Sequence, residues 1–245
     1  MFIVVFEFHP APGKKDEYLG LARHLKPIVE SIDGFIDNER FESKRREGWM
    51  LSLSTWRDEK AVVRWRSQGD HHGVQEKGRN GIFADYRLRV CEVTSDTHPP
   101  AGLQVIERRL DATEVGEAKA LAITEVSPAP NATFAAHPDS ILSLLACDID
   151  AEGLADFDVF ESIYNPGKIV LLTSWKTAED SARWTPNRFA DVAELRHRRV
   201  RNVRDYGMFE RREAAQYFPD VVRSEPGCST TQAKTPTPRR RIDSS

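Results

Sequence analysis

Hydrophobic and polar positions alternate and regroup along the chain in a way that spells out short strands and amphipathic helices. Residues 2 to 8 are aromatic and β-branched and stop at Pro10-Ala11-Pro12-Gly13, which predicts a strand followed by a loop. From Lys14 the apolar residues Tyr18, Leu21, Leu25, Ile28, Val29 and Ile32 recur in steps of three and four, which predicts a helix stopped by Gly34. Phe35 to Ser43 and Trp49 to Trp56 then read as a hairpin, with Trp49, Leu51 and Leu53 alternating with Ser52 and Ser54. A second helix is expected over 58 to 78 and a closing strand over 82 to 93. The order is β-α-β-β-α-β, a split ferredoxin-like unit.

The pattern then returns. Residues 34 to 65 align without a gap on residues 153 to 184 at a constant offset of 119, and ten of the 32 pairs are identical. They include Gly34/Gly153, Phe41/Phe160, Glu42/Glu161, Ser43/Ser162, Trp56/Trp175 and Trp65/Trp184, where ordinary residue usage gives about two matches by chance. Beyond Trp184 the sequence suggests a shift of seven residues, which sets His71 against His197, Gly81 against Gly207 and Phe83 against Phe209. In the second copy a strand is expected over 120 to 126, a short helix over 138 to 147 and a hairpin over 153 to 164 and 168 to 175. A long helix over 177 to 203 and a last strand over 206 to 213 complete it.

The expected fold class is therefore α+β, with two ferredoxin-like β-α-β-β-α-β modules in tandem forming an intrachain dimeric α+β barrel, each sheet covering the other. The modules span 1–95 and 119–215. A linker at 96–118 contains a stretch, Leu103 to Leu110, that reads as an extra strand, and 216–245 reads as a disordered, Ser/Thr/Pro-rich tail with a basic run.

Composition narrows the function. The net charge of −3 gives no general attraction for nucleic acid, and three scattered cysteines form neither a disulfide framework nor a CxxC pair, which fits a cytoplasmic protein. No run of 18 apolar residues occurs, so no membrane span is expected. No dinucleotide fingerprint, P-loop or metal-ligand spacing is present, so neither a cofactor nor a metal is expected.

The residues Phe41-Glu42-Ser43, Gly48, Leu51-Ser52-Leu53-Ser54, Trp56-Arg57-Asp58-Glu59, Trp65, His71, Gln75, Gly78-Arg79, Ile82-Phe83 and Asp85-Tyr86-Arg87 resemble the antibiotic biosynthesis monooxygenase superfamily of dimeric α+β barrels. The resemblance implies a cavity between each sheet and its helices, and members that oxidise polycyclic phenols and anthrones without a cofactor, degrade heme or process signal molecules. It implies a cofactor-independent monooxygenase acting on a small aromatic or quinol-like compound. Non-redox binding of a small apolar ligand and heme binding through His197 stand as alternatives. His71 is the candidate base, since an imidazole titrates near neutrality, and Trp65 the aromatic wall. Glu7, a lone charge in an apolar strand, is the third catalytic candidate, and Trp184 and His197 are candidate substrate contacts in the second copy. The family's quinone-forming oxygenases place an asparagine four residues before the tryptophan, where this chain has Ala61 and Asp180. The heme-degrading branch uses an asparagine and a histidine where this chain has Phe6-Glu7 and Gln75. A homodimer of the two-module chain is also compatible with the pattern.

Overall fold

The apolar alternation of eight segments is satisfied in one closed antiparallel barrel, seen in a computed structural model that describes residues 1–132 and 136–222. The elements are β1 (Phe2–Pro10), α1 (Lys15–Glu30), β2 (Phe35–Ser43), β3 (Met50–Trp56), α2 (Glu59–Arg66), α3 (Gly69–Lys77), β4 (Phe83–Asp96), β5 (Ala120–Pro128), α4 (Pro138–Leu144), β6 (Leu154–Ser162), β7 (Ile169–Trp175), α5 (Ala178–Arg183) and β8 (Val192–Gly207). A π-type turn at Gly78–Ile82 joins α3 to β4. The strand order β1-β3-β2-β6-β7-β5-β8-β4 places the two halves side by side, and they join twice, at β2–β6 and at β4–β8. Ile3, Val5, Leu51, Leu53 and Cys91 of the first half meet Leu121, Ile123, Val170, Leu172 and Val200 of the second inside the barrel. Alternate residues of the same strands face the helices.

Strand registers define which positions correspond. Phe2 pairs with Trp56 and Glu92, as Ala120 pairs with Trp175 and Arg201. Both joins obey the same correspondence: Phe41 lies opposite Ser162 as Ser43 lies opposite Phe160, and Arg89 opposite Asp205 as Asp96 opposite Arg198. The offset is thus 119 in the hairpin and 109 in the last strand, since 201 − 92 = 109. The second half is thus ten residues shorter than the first after Trp184, where the sequence alignment suggested seven more.

This corrects the long helix expected over 177 to 203. Only the six-residue α5 forms, and Val192–Gly207 is a strand, so His197 corresponds to Leu88 and not to His71. The last strand expected over 206 to 213 falls mostly beyond β8. The helix expected over 58 to 78 is broken at Ser67 and Gln68, where the Gln68 side chain accepts the His71 amide at 2.8 Å and starts α3. Leu103 to Leu110 is not a strand. Leu103 and Val105 instead pack on the barrel interior, and the amides of Arg108 and Arg109 donate to the buried Glu92 carboxylate at 2.7 and 2.9 Å.

The first residues of the tail expected to be disordered from 216 are instead packed against the first half. Gln216 Nε2 donates to Arg66 O at 2.9 Å, Phe218 stacks on His72, and Arg79 donates to Pro219 O at 3.1 Å. The rest of that expectation, from 223 on, lies outside the described residues. No helix among the described residues is long and apolar enough to cross a membrane.

Candidate active site

On the helix side of the first half, β1 and β3 present Phe2, Val4, Phe6 and Phe8 beside Met50, Ser52, Ser54 and Trp56. The ends of this face are buried, but its middle, Val4, Phe6, Ser52, Ser54 and Leu88, stays half-buried beneath the helices. Incomplete cover over an apolar floor is what a ligand cleft requires. The corresponding residues of the second half, Ala122, Thr124, Leu171, Thr173 and His197, are all buried. Small Ala122 and Thr124 in place of Val4 and Phe6 let Trp184 and His197 settle onto the sheet and close the space.

Trp65 and His71 come together at one end of the open cleft. Six residues apart on an unbroken helix they would point some 120° apart. The break at Gln68 folds His71 back, so that its ring stacks on Trp65 with centroids 4.0 Å apart and planes 13° from parallel. Trp65 in turn stacks on Trp56 at 6.5 Å. His71 Nδ1 lies 2.9 Å from Trp65 O, and because a carbonyl only accepts, Nδ1 carries the proton and Nε2 is the accepting nitrogen. Burial lowers its pKa to about 4, with the neighbouring His72 adding to the effect. A neutral imidazole of that basicity is a good hydrogen-bond acceptor but a weak base. A phenol of ordinary acidity sits several pKa units higher, which opposes full proton transfer to this ring.

Glu7 does not join them. It shares the inward face of β1 with Ile3 and Val5, on the opposite side of the sheet from the cleft, and it is buried between Arg89 and Arg46. Burial opposes ionisation there, but the two guanidinium groups outweigh it and hold the carboxyl below its usual range. Glu125 repeats the arrangement with Arg198 and Lys168. The two networks also mirror each other across the halves: Arg89 donates to Ser174 Oγ at 3.0 Å and Arg198 to Thr55 Oγ1 at 3.1 Å. Glu7 is a clamp holding the halves together.

In the second half, Trp184 stacks on Trp175 at 6.4 Å, and both border a cavity of about 240 Å³ with Ala146 and Asp180. His197 meets the edge of Trp184 at 5.3 Å, and its Nδ1 lies 2.9 Å from Thr124 Oγ1. The ring is enclosed, and burial lowers its pKa to about 4. A heme on His197 would have to displace the Trp184 indole, so the ring reads as core and not as an axial ligand. No group of three or more His, Cys, Asp or Glu arranged to hold a metal occurs among the described residues.

Sequence reasoning passed over Arg40. It lies opposite Ser52 on the cleft face, half-buried, with Nε donating to Tyr18 Oη at 3.2 Å and no carboxylate partner among the described residues. The alternation Asn38, Arg40, Glu42 on β2 is the signal that would have placed it there.

A family model described as antibiotic biosynthesis monooxygenase matches residues 1–77, which include Trp65 and His71. The chain is 39% identical over 224 residues to a protein of Pyricularia oryzae named jasmonate monooxygenase ABM, covering 89% of this chain and 99% of that one. Among solved structures, an aldoxime dehydratase shares the fold at a TM-score of 0.52 and 13% identity, covering 83% of this chain and 81% of that one. An anthrone oxidase-like protein gives a TM-score of 0.34 at 14% identity over 88% of this chain and 96% of that one, too low to bear on chemistry. With nearly the whole length of both chains aligned to the Pyricularia protein, this chain belongs to the antibiotic biosynthesis monooxygenase family.

Proposed function

We propose that the protein is a monooxygenase whose reaction takes place in the first-half cleft, on a small, mostly apolar carboxylic acid of the jasmonate kind. The observation that carries this reading is the partly buried apolar floor of Val4, Phe6 and Leu88 with Arg40, a guanidinium without a carboxylate partner among the described residues, beside it. Jasmonate has the matching shape, a cyclopentanone with an apolar chain and one carboxylate. Arg40 and Ser52 lie four residues along the hairpin from Trp56, about 13 Å, so a molecule held by its carboxylate at Arg40 extends toward Trp65 and His71. The name of the Pyricularia relative supports the substrate class, and the apolar floor with Arg40 beside it supports the choice of site.

Electron bookkeeping separates this from the quinol reading. Inserting one oxygen atom of O₂ into a C–H bond and reducing the other to water takes two electrons and two protons. A quinol or anthrone supplies its own pair, so cofactor independence goes with that substrate class. A jasmonate-type C–H bond does not, so a two-electron donor is required alongside it. A quinol hydroxyl would donate to His71 Nε2, whereas jasmonate, which has only acceptor oxygens once its carboxyl is ionised, would meet His71 and Trp65 as an apolar wall.

The evolutionary part of the proposal is that 1–95 and 119–215 are ferredoxin-like modules, once two chains of a homodimer and now fused. The shorter stretch after Trp184 and the buried sheet residues Ala122, Thr124 and His197 support one half having kept the reaction.

The test is product analysis under ¹⁸O₂ with jasmonate, with and without a nicotinamide donor, beside an anthrone and hydroquinone panel. One labelled oxygen in a jasmonate product, with Arg40→Met raising KM at least tenfold, is the expected result. No oxygen uptake with any candidate from pH 6 to 9 removes the oxygenase reading for these substrates.

A further inference from the structure

The barrel has two corresponding mouths on its inward face, one filled by the chain's own arginines and one open. At the filled mouth, Arg46 is held by Glu7 and Asp158 and lies 4.6 Å over the Trp49 ring, while Arg45 is paired with Asp156 at 2.8 Å and lies 4.5 Å over Phe157. At the other mouth, Tyr164 and Asn165 occupy the places of Arg45 and Arg46. The match is geometric as well as sequential: Ser43 Oγ accepts the amides of Arg45 and Arg46, and Ser162 Oγ those of Tyr164 and Asn165. Where the guanidinium groups are missing there is a cavity of about 280 Å³.

The acids that hold those guanidinium groups are kept. Asp37 stands for Asp156, Glu39 for Asp158 and Glu125 for Glu7, and all three line the open cavity. Lys168 neutralises Glu39 and Glu125 at 2.6 and 2.8 Å, Arg198 also reaches Glu125, and Arg196 is engaged with Asp96 at 2.7 Å. Every cation of the lining is therefore committed, which leaves no free positive group for an anion. Asp37 on β2 and Glu194 on β8 line the same cavity, are exposed, and have no ion-pair partner among the described residues. The half-exposed Tyr164 ring at the rim offers a face for a planar cation.

We propose that this cavity binds a small guanidinium compound, which takes the place that Arg45 and Arg46 take in the filled mouth. Its N–H groups reach the Asp37 carboxylate as Arg45 Nη2 reaches Asp156, and its plane stacks on Tyr164 as Arg45 lies over Phe157. The acids of this site belong to the inward face of the sheet, with Asn38 of the other face at its edge, and the proposal does not depend on what the cleft oxidises.

The experiment is calorimetric titration of the full chain with agmatine, with putrescine and acetate as controls. One molecule of agmatine per chain is expected, with Asp37→Asn and Glu194→Gln each weakening it at least tenfold. Asn165→Arg, which installs the plug of the filled mouth, is expected to abolish binding while leaving the thermal midpoint no lower than wild type. Tyr164→Arg serves as the second plug should the first variant fold poorly. Absence of agmatine binding, equal binding of putrescine, preferred binding of acetate, or agmatine binding untouched in the plugged variants overturns the proposal.

Discussion

His71 lies flat on Trp65, 4.0 Å between ring centroids, although the two residues belong to different helices. The stack exists because α2 ends at Arg66 and Gln68 caps a new helix, and in the second half, which lacks that helix, Trp184 takes its histidine from a strand instead. The two tryptophans are thus duplicated and their partners are not.

That difference sets the first prediction. His71→Ala lowers turnover at least tenfold, about 1.4 kcal/mol of transition-state stabilisation, and His197→Ala lowers it less than threefold. His197→Ala instead lowers the urea midpoint, because it empties a buried contact with Thr124 and Trp184. Steady-state kinetics and unfolding curves on both variants check this, and a larger kinetic loss at His197 would place the reaction in the wrong half.

A pH dependence of stability follows from the same two rings. Both are held at about 4 in the folded protein, below the unfolded value near 6.5, so the unfolded chain takes up the proton first. Their contribution is whole above about pH 6.5 and is lost as pH falls toward 4. Glu7 and Glu125, held below their usual range, add a further loss only below about pH 4.5. Urea midpoints at pH 7 and pH 5 are expected to differ, and the double variant His71→Gln/His197→Gln is expected to flatten that interval.

Glu7→Gln is expected to cost stability and not catalysis. It leaves the buried Arg89 facing a neutral amide, which by comparison with other broken buried pairs costs about 3–5 kcal/mol. Turnover per folded molecule stays within about twofold. A large fall in kcat with an unchanged unfolding midpoint would return Glu7 to the catalytic residues.

Gly34→Ala tests the helix-to-strand corner. Gly34 has φ of +92°, and a Cβ there would lie 2.7 Å from the Cβ of the fully buried Ala61. Left-handed strain and the clash together are expected to cost more than about 1–2 kcal/mol, read as a lower thermal midpoint. Gly153 in the second half meets Asp180 in the same way, and its alanine variant is expected to behave alike.

Truncation after Ala215 removes Gln216 and Phe218, which hold Arg66 and His72 beside the Trp65/His71 stack. Faster amide exchange across α2 and α3, with a raised KM, is the expected outcome, and unchanged exchange there would show the segment to be passive.

Local patterning was enough for β1 to β7 and α1, because each carries its own apolar period and is bounded by turn-forming residues. It was also enough for the Trp56/Trp175 and Trp65/Trp184 repeats. The 192–207 stretch shows the limit. Val192, Leu195, Val200 and Val203 fit a helical stripe as well as a strand, and the arginines between them read as a wet helix face. Only the barrel decides, because Arg196, Arg198 and Arg201 find Asp96, Glu125 and Glu107 on segments at least 73 residues away and are spent as clamps between strands. Glu7 has the same cause: an acid in an apolar strand is ambiguous until Arg89, 82 residues later, is placed opposite it. The sequence alone determined where the first seven strands begin and end to within a few residues, but not the eighth. Which face of the sheet a charge occupies, which half stays open and which histidine meets which tryptophan came from long-range pairing, where the stabilising partner of each group lies far along the chain.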